Sequence, residues 1–185
     1  MSDNNLNESQ LKDILKASYQ TQREAEQTLA KRGYKYDTEL STMENKVFFN
    51  PETQQPFIAY RGSTRVSDFL YEDPALAFGF KTEKQKKAEK LAKDVEAKYK
   101  QPASAIGHSL GGYRAEQSGV SGKIYTYNKG AGFFDIGKKT SEKQTDYRRE
   151  GDIVSALSIG QKGGKKITRK DPNIFPTILT AHKFV

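Results

Sequence analysis

The run Ala103-Ser104-Ala105-Ile106-Gly107-His108-Ser109-Leu110-Gly111-Gly112-Tyr113 reads as a short apolar strand over Ala103 to Ile106, then a Gly-X-Ser-X-Gly turn, then a helix from Tyr113 to Gln117. Strand, tight turn and helix in that order are the setting of a nucleophile elbow. Gly107 and Gly111 are small where two backbones must pass, and glycine tolerates the strain that exposes a serine hydroxyl at the tip. Leu110 directly follows the serine, so its backbone N–H points into the same space, near a helix start that favours negative charge. One turn therefore offers a nucleophile, Ser109, and one oxyanion donor, Leu110.

The surrounding chain is 185 residues, the length of one domain, 1–185, with room for a core. Apolar residues make up 35% and mean hydropathy is −0.83, so the core must be compact under a charged surface. Ten Tyr and ten Phe still argue for a folded chain. Zero Cys excludes disulfides, thiol catalysis and thiolate metal sites, and two His leave no basis for a His-rich metal centre, so neither metal nor cofactor is expected. No apolar run approaches a membrane span and the opening residues do not form a signal peptide. The reading is a soluble protein, intracellular or released without classical export, with carriage in a virion-like particle also compatible. The net charge of +8 comes from 31 Lys and Arg spread along the chain, without the aromatic-interleaved basic motifs of nucleic-acid modules. Solvated faces are the default reading, specific nucleic-acid binding is not expected, and peripheral contact with an anionic membrane is a partner this surface allows.

Outward from the elbow, residues 9 to 32 read as one amphipathic helix, with Leu11, Ile14, Leu15, Ala25 and Leu29 on its apolar face and Gly33 as its cap. Lys46 to Phe49 and Pro56 to Arg61 read as strands of a hairpin. Val66 to Phe80 is rich in apolar residues, among them Phe69 and Leu70, and Pro74 interrupts any single helix there. Thr82-x-x-Gln85 is a capping box for a helix with Ala88, Leu91, Ala92, Val95 and Tyr99 on one face and lysines on the other. Lys123 to Tyr127 and Asp146 to Glu150 read as strands, and 160 to 171, rich in lysine and glycine, as a loop or weak hairpin. The order implies an α/β layer architecture with a crossover.

A serine hydroxyl is a poor nucleophile until a base takes its proton and a third group orients that base. His108 sits inside the turn with its side chain directed away from Ser109, which suits a structural or substrate-lining role. That leaves His182 as base. The carboxylates after the elbow are Asp135, Glu142, Asp146, Glu150, Asp152 and Asp171. Asp152, beyond a late strand and a glycine, fits a Ser, acid, His chain order best, with Asp135 next. A second oxyanion donor belongs in a loop after an earlier strand, where Gly62-Ser63 stands; Ser63 is the candidate.

Gly107-His108-Ser109-Leu110-Gly111-Gly112, the upstream Ala59-Tyr60-Arg61-Gly62-Ser63 with Asp68-Phe69, and Gly151-Asp152-Ile153-Val154 together resemble the class 3 lipase family of α/β hydrolases. The resemblance covers about residues 45 to 185 and implies a compact α/β-hydrolase-type fold, with a mostly parallel central sheet flanked by helices and an N-terminal helix and hairpin. It implies a serine ester hydrolase acting on acylglycerol or phospholipid esters. Ser109, Asp152 and His182 would be its triad and Ser63 and Leu110 its oxyanion donors. Val66 to Phe80 would lie where the family has a lid, with Phe69, Leu70 and His108 against substrate. The other reading is a catalytically silent module of the same fold that binds anionic lipid or a protein partner. The oligomeric state is left open.

Overall fold

The computed structural model describes residues 6–62, 83–130, 137–149 and 160–169. These form helices α1 (Glu8–Ala17), α2 (Gln22–Ala30), α3 (Glu83–Tyr99) and α4 (Leu110–Gln117). Their strands are β1 (Lys35–Tyr36), β2 (Asn45–Asn50), β3 (Gln55–Tyr60), β4 (Ser104–His108), β5 (Ile124–Tyr127), β6 (Gln144–Arg149) and β7 (Lys165–Arg169). The strands lie side by side in chain order as one sheet. β1, β2 and β3 pair antiparallel, and β3 through β7 pair parallel.

Period-two alternation sorts the strand side chains onto two faces. Phe48, Phe57, Ala59, Ile106, Tyr125 and Tyr127 meet Leu11, Ile14, Leu15, Ala25 and Leu29 of α1 and α2. Val47, Ile58, Tyr60, Ala105 and Ile124 meet Ala88, Ala92 and Val95 of α3 and Ala115 of α4. Because helices cover both faces, β4 and β5 are buried along their whole length. All five apolar residues of the N-terminal pattern are fully buried, and truncating one of the leucines to alanine costs about 2–5 kcal/mol.

Two sequence expectations are corrected. The single helix over 9 to 32 is two helices. Ser18 ends the first, its hydroxyl donating to Leu15 O at 2.7 Å, and a capping box of Thr21 with Glu24 starts the second. The sequence carried this signal as Thr21-x-x-Glu24, but apolar periodicity ran through it. The segment expected to be a loop or weak hairpin contains β7, entered through Gly163 (φ 79) and Gly164 (φ 62). In Lys165-Lys166-Ile167-Thr168-Arg169 only Ile167 is even partly buried, so there was no alternation to read; charge along such a strand discourages pairing with other chains. The hairpin, the helix after residue 82 and the strands before and after the elbow fall within a few residues of their expected places. The capping residue Thr82 itself lies outside the described residues.

Candidate active site

β4 runs into the sheet between β3 and β5, so its carboxyl end, His108, emerges near the middle of the parallel edge. The next residue, Ser109, has φ 55 and ψ −126, a conformation that L residues rarely adopt and that costs of order 1–3 kcal/mol. It is held there from both sides. Its N–H donates to Tyr127 O at 3.0 Å, and its carbonyl accepts from Tyr113 N and Gly130 N, each at 3.2 Å.

The flanking glycines have no alternative. A Cβ on Gly107 would lie 2.1 Å from Gly111 O, and one on Gly111 would lie 2.3 Å from Tyr60 O. Helix α4 therefore packs directly on β4 and on the end of β3. Its first residue is Leu110, and Ser109 makes no side-chain cap to its first turn. The N–H groups at a helix start point outward and the helix dipole favours negative charge there. This is the geometry an oxyanion donor needs.

The end of β3 closes against the elbow. A Cβ on Gly62 would lie 2.4 Å from His108 O. Gly62 N–H donates to the Tyr19 hydroxyl at 3.1 Å, and that hydroxyl lies 3.0 Å from His108 Nδ1. Arg61 places its guanidinium 5.6 Å from the centre of the Tyr19 ring. Burial raises the Tyr19 phenol above its usual pKa, against the lowering effects of the Gly62 N–H, Arg61 and Arg114, so it stays neutral and protonated at pH 7. Tyr19 thus ties His108, the residue before Ser109, to Gly62 just beyond the end of β3. Sequence reading missed it, because a tyrosine inside an assumed continuous helix had no reason to face a strand end; only the capping box two residues later marked the break.

Of the residues expected at the site, the structure describes three. Ser109 and His108 are buried and Leu110 is half-buried. His108 Nδ1 lies 3.0 Å from the Tyr19 hydroxyl, and the two rings meet edge to face. Ser63, Phe69, Leu70, Asp152, His182 and the alternative acid Asp135 lie outside the described residues, as does the expected lid segment.

Two of the candidate carboxylates can be placed. Glu142 stands exposed beside Lys139 just before β6, at the amino end of the sheet and away from Ser109. Asp146 is buried in mid-strand, accepting from Thr126 Oγ1 at 2.6 Å and Gln144 Nε2 at 2.7 Å, with Lys129 Nζ at 3.5 Å. Both carboxylates already have partners within the sheet and the loop before β6. Among the described residues no group of three His, Cys, Asp or Glu is arranged to hold a metal ion, and no helix is long and apolar enough to cross a membrane.

A family model described as a Tle-like phospholipase domain matches residues 8–162. Solved structures share the fold at low identity. Lip2 lipase from Yarrowia lipolytica is 14% identical over 93% of this chain and 82% of its own, with a TM-score of 0.54. The N225Q mutant of MDLA from Penicillium cyclopium is 16% identical over 97% of this chain and 87% of its own, with a TM-score of 0.55. The Rhizomucor miehei lipase propeptide complex is 16% identical over 90% of this chain and 68% of its own, with a TM-score of 0.54. No curated protein matches the sequence. The fold is of the α/β-hydrolase type, and the mostly parallel sheet expected from the sequence is present.

Proposed function

The chain belongs to the family of Tle-like phospholipase domains, and from that membership we propose that it is a serine ester hydrolase that cleaves acyl esters of glycerophospholipids or acylglycerols through an acyl-enzyme. The observation that carries the proposal is the backbone of Ser109, φ 55 and ψ −126, at the junction of a parallel strand and a helix. A strained serine at that junction has no structural use that glycine would not serve better.

In the proposed reaction His182, oriented by Asp152, takes the Ser109 proton as the serine oxygen attacks the ester carbonyl. Leu110 N–H and Ser63 hold the oxyanion, and the alcohol leaves with the proton from His182. His182 then draws a proton from water as its oxygen attacks the acyl carbon, and returns that proton to Ser109 Oγ as the acyl–oxygen bond breaks and the fatty acid leaves. No cofactor enters these steps.

Three features of the sheet support the assignments. Ser63 follows Gly62, so its Cα is ~3.8 Å from a residue packed against the elbow. β6 is parallel to β4, with Tyr147 level with Tyr127 and Tyr127 level with His108, so Tyr147 stands two strands from the nucleophile, roughly 10 Å. Asp152 follows the end of that strand by three residues. β7 reaches the same edge at Arg169, thirteen residues before His182, and a span of that length easily crosses the roughly 15 Å from β7 to β4. The family and the net charge of +8 favour phospholipid over neutral glyceride.

The test is labelling with a fluorophosphonate probe together with hydrolysis of nitrophenyl esters of increasing chain length. Wild type should label and Ser109→Ala should not, and Asp152→Asn should lose far more activity than Asp135→Asn. Absence of labelling in folded wild-type protein would refute the hydrolase reading and favour a silent lipid-binding module. Damage confined to Asp135→Asn would refute only the acid assignment.

A further inference from the structure

A turn that the proposed mechanism does not use joins the nucleophile to the strand that leads to the acid. At the end of β5, Asn128 takes φ 42, so the backbone leaves the sheet there. Pairing with β6 nevertheless continues for one more rung. Asn128 N–H donates to Tyr147 O at 2.8 Å, and Arg149 N–H donates to the Asn128 side-chain oxygen at 2.8 Å. The side-chain amide has replaced a strand carbonyl. The same turn grips the elbow through Tyr127 O and Gly130 N–H, the partners of the Ser109 backbone.

Beneath the turn lies a buried polar network. Lys129 is 1% exposed and its ammonium sits between Glu116 of α4 and Asp146 of β6. Gln144 Nε2 donates to the same two carboxylates, at 2.8 Å and 2.7 Å. A Cβ on Gly112 would lie 3.3 Å from Lys129 Cβ, so the lysine packs closely under the first turn of α4. Buried ion pairs of this kind rarely exceed well-packed apolar residues in net stability, whereas their directional bonds fix one arrangement of the elements they join. Here those elements are the elbow helix, β5 and β6.

We infer that Asn128 is a positioning residue for the reaction proposed above, an inference that rests on that reading: it holds the end of β6 in fixed register with the Ser109 elbow, and Lys129 pins its turn from below. Asparagine meets both demands of the position. It tolerates a left-handed backbone better than most residues, and its short amide can stand in for a peptide carbonyl. Glycine would meet the first demand and fail the second. Comparing the two isolates the side-chain bond.

The experiment uses the full chain with Asn128→Gly and Asn128→Asp, the second keeping an acceptor. Amide exchange at Arg149 needs no catalysis. It should quicken about tenfold in Asn128→Gly, the fold-change of one hydrogen bond, and stay near wild type in Asn128→Asp. On a soluble nitrophenyl ester, Asn128→Gly should lower kcat by about tenfold or more with KM unchanged. The acid limb of its pH profile should move to lower pH, because a carboxylate displaced from the imidazole no longer raises the pKa of the base. Asn128→Asp should restore kcat and the limb. Unchanged Arg149 exchange in Asn128→Gly overturns the inference, as does activity that falls only with the folded fraction while the limb stays fixed. Wild type that does not react with the fluorophosphonate probe overturns the hydrolase reading and the catalytic role of Asn128 together, and the exchange result then stands as the separate measure of whether Asn128 holds β6.

Discussion

Replacing Ser109 with glycine should make the protein more stable while removing its proposed nucleophile. At φ 55 and ψ −126 the Cβ of Ser109 is the source of the strain, since glycine reaches that region without steric penalty. Relief of about 1–3 kcal/mol is set against about 0.4–1 kcal/mol that glycine returns by enlarging the freedom of the unfolded chain. The net gain is about 0–2.6 kcal/mol, centred on ~1.3 kcal/mol. For a domain of this size each kcal/mol moves Tm by about 2–4 °C, so at that central value the midpoint should rise by about 3–5 °C. Ser109→Ala is the control, because it deletes the hydroxyl and keeps the strained Cβ; it should show no comparable gain. Thermal and urea unfolding of the three proteins supply the measurement, with equal m-values required for the comparison. If Ser109→Gly is no more stable than Ser109→Ala, the strain is not there, and the argument from backbone conformation to nucleophile fails with it.

Lys129→Met should destabilise by about 3–5 kcal/mol, since Glu116 and Asp146 are left buried without their shared ammonium, and adding Glu116→Gln should recover part of the loss in urea unfolding. Tyr19→Phe removes the acceptor of Gly62 N–H and the partner of His108 Nδ1, at a cost of about 1–2 kcal/mol. Because that hydroxyl holds Gly62 against the elbow, kcat on a nitrophenyl ester should fall as well, measured on fully folded protein. Asp37 supplies a pH test. Burial raises its pKa, but bonds from Lys98, Tyr99 and the Leu40 N–H more than offset this and hold its carboxyl below the ordinary value of 3.8. A depressed folded pKa means stability that is present above pH ~4 and lost as pH falls through the folded value. Asp37→Asn should therefore be less stable than wild type at pH 7, and the gap in urea midpoint should close below pH 4.

The elbow was legible because its requirements are local. Gly107 and Gly111 are glycine for reasons that lie within a few residues of Ser109 or on the adjacent strand, and the pentapeptide carries them in its own order. The core was legible for the same reason: Leu11, Ile14 and Leu15 repeat at the helical period, and Phe57 and Ile58 alternate across the sheet. Charge defeated the reading of β7, where Ile167 is the single apolar residue among Lys165, Lys166, Thr168 and Arg169. Continuity of the apolar pattern hid the break at Ser18 to Thr21, and with it Tyr19.

The sequence by itself determined that a serine would stand in a tight turn between a strand and a helix, and that one face of each neighbouring element would be buried. Those are properties of short windows, set by periodicity, by glycine and by capping residues. Only the tertiary structure decided that Tyr19 reaches Gly62 and His108 from a helix end about 40 and 90 residues away in the chain. It likewise decided that Lys129, one of 31 basic residues, is buried between two carboxylates, and that Asn128 completes the pairing of β6. No local pattern marks such residues, because a buried lysine and a solvated one have the same side chain and differ only in what the folded sheet brings against them.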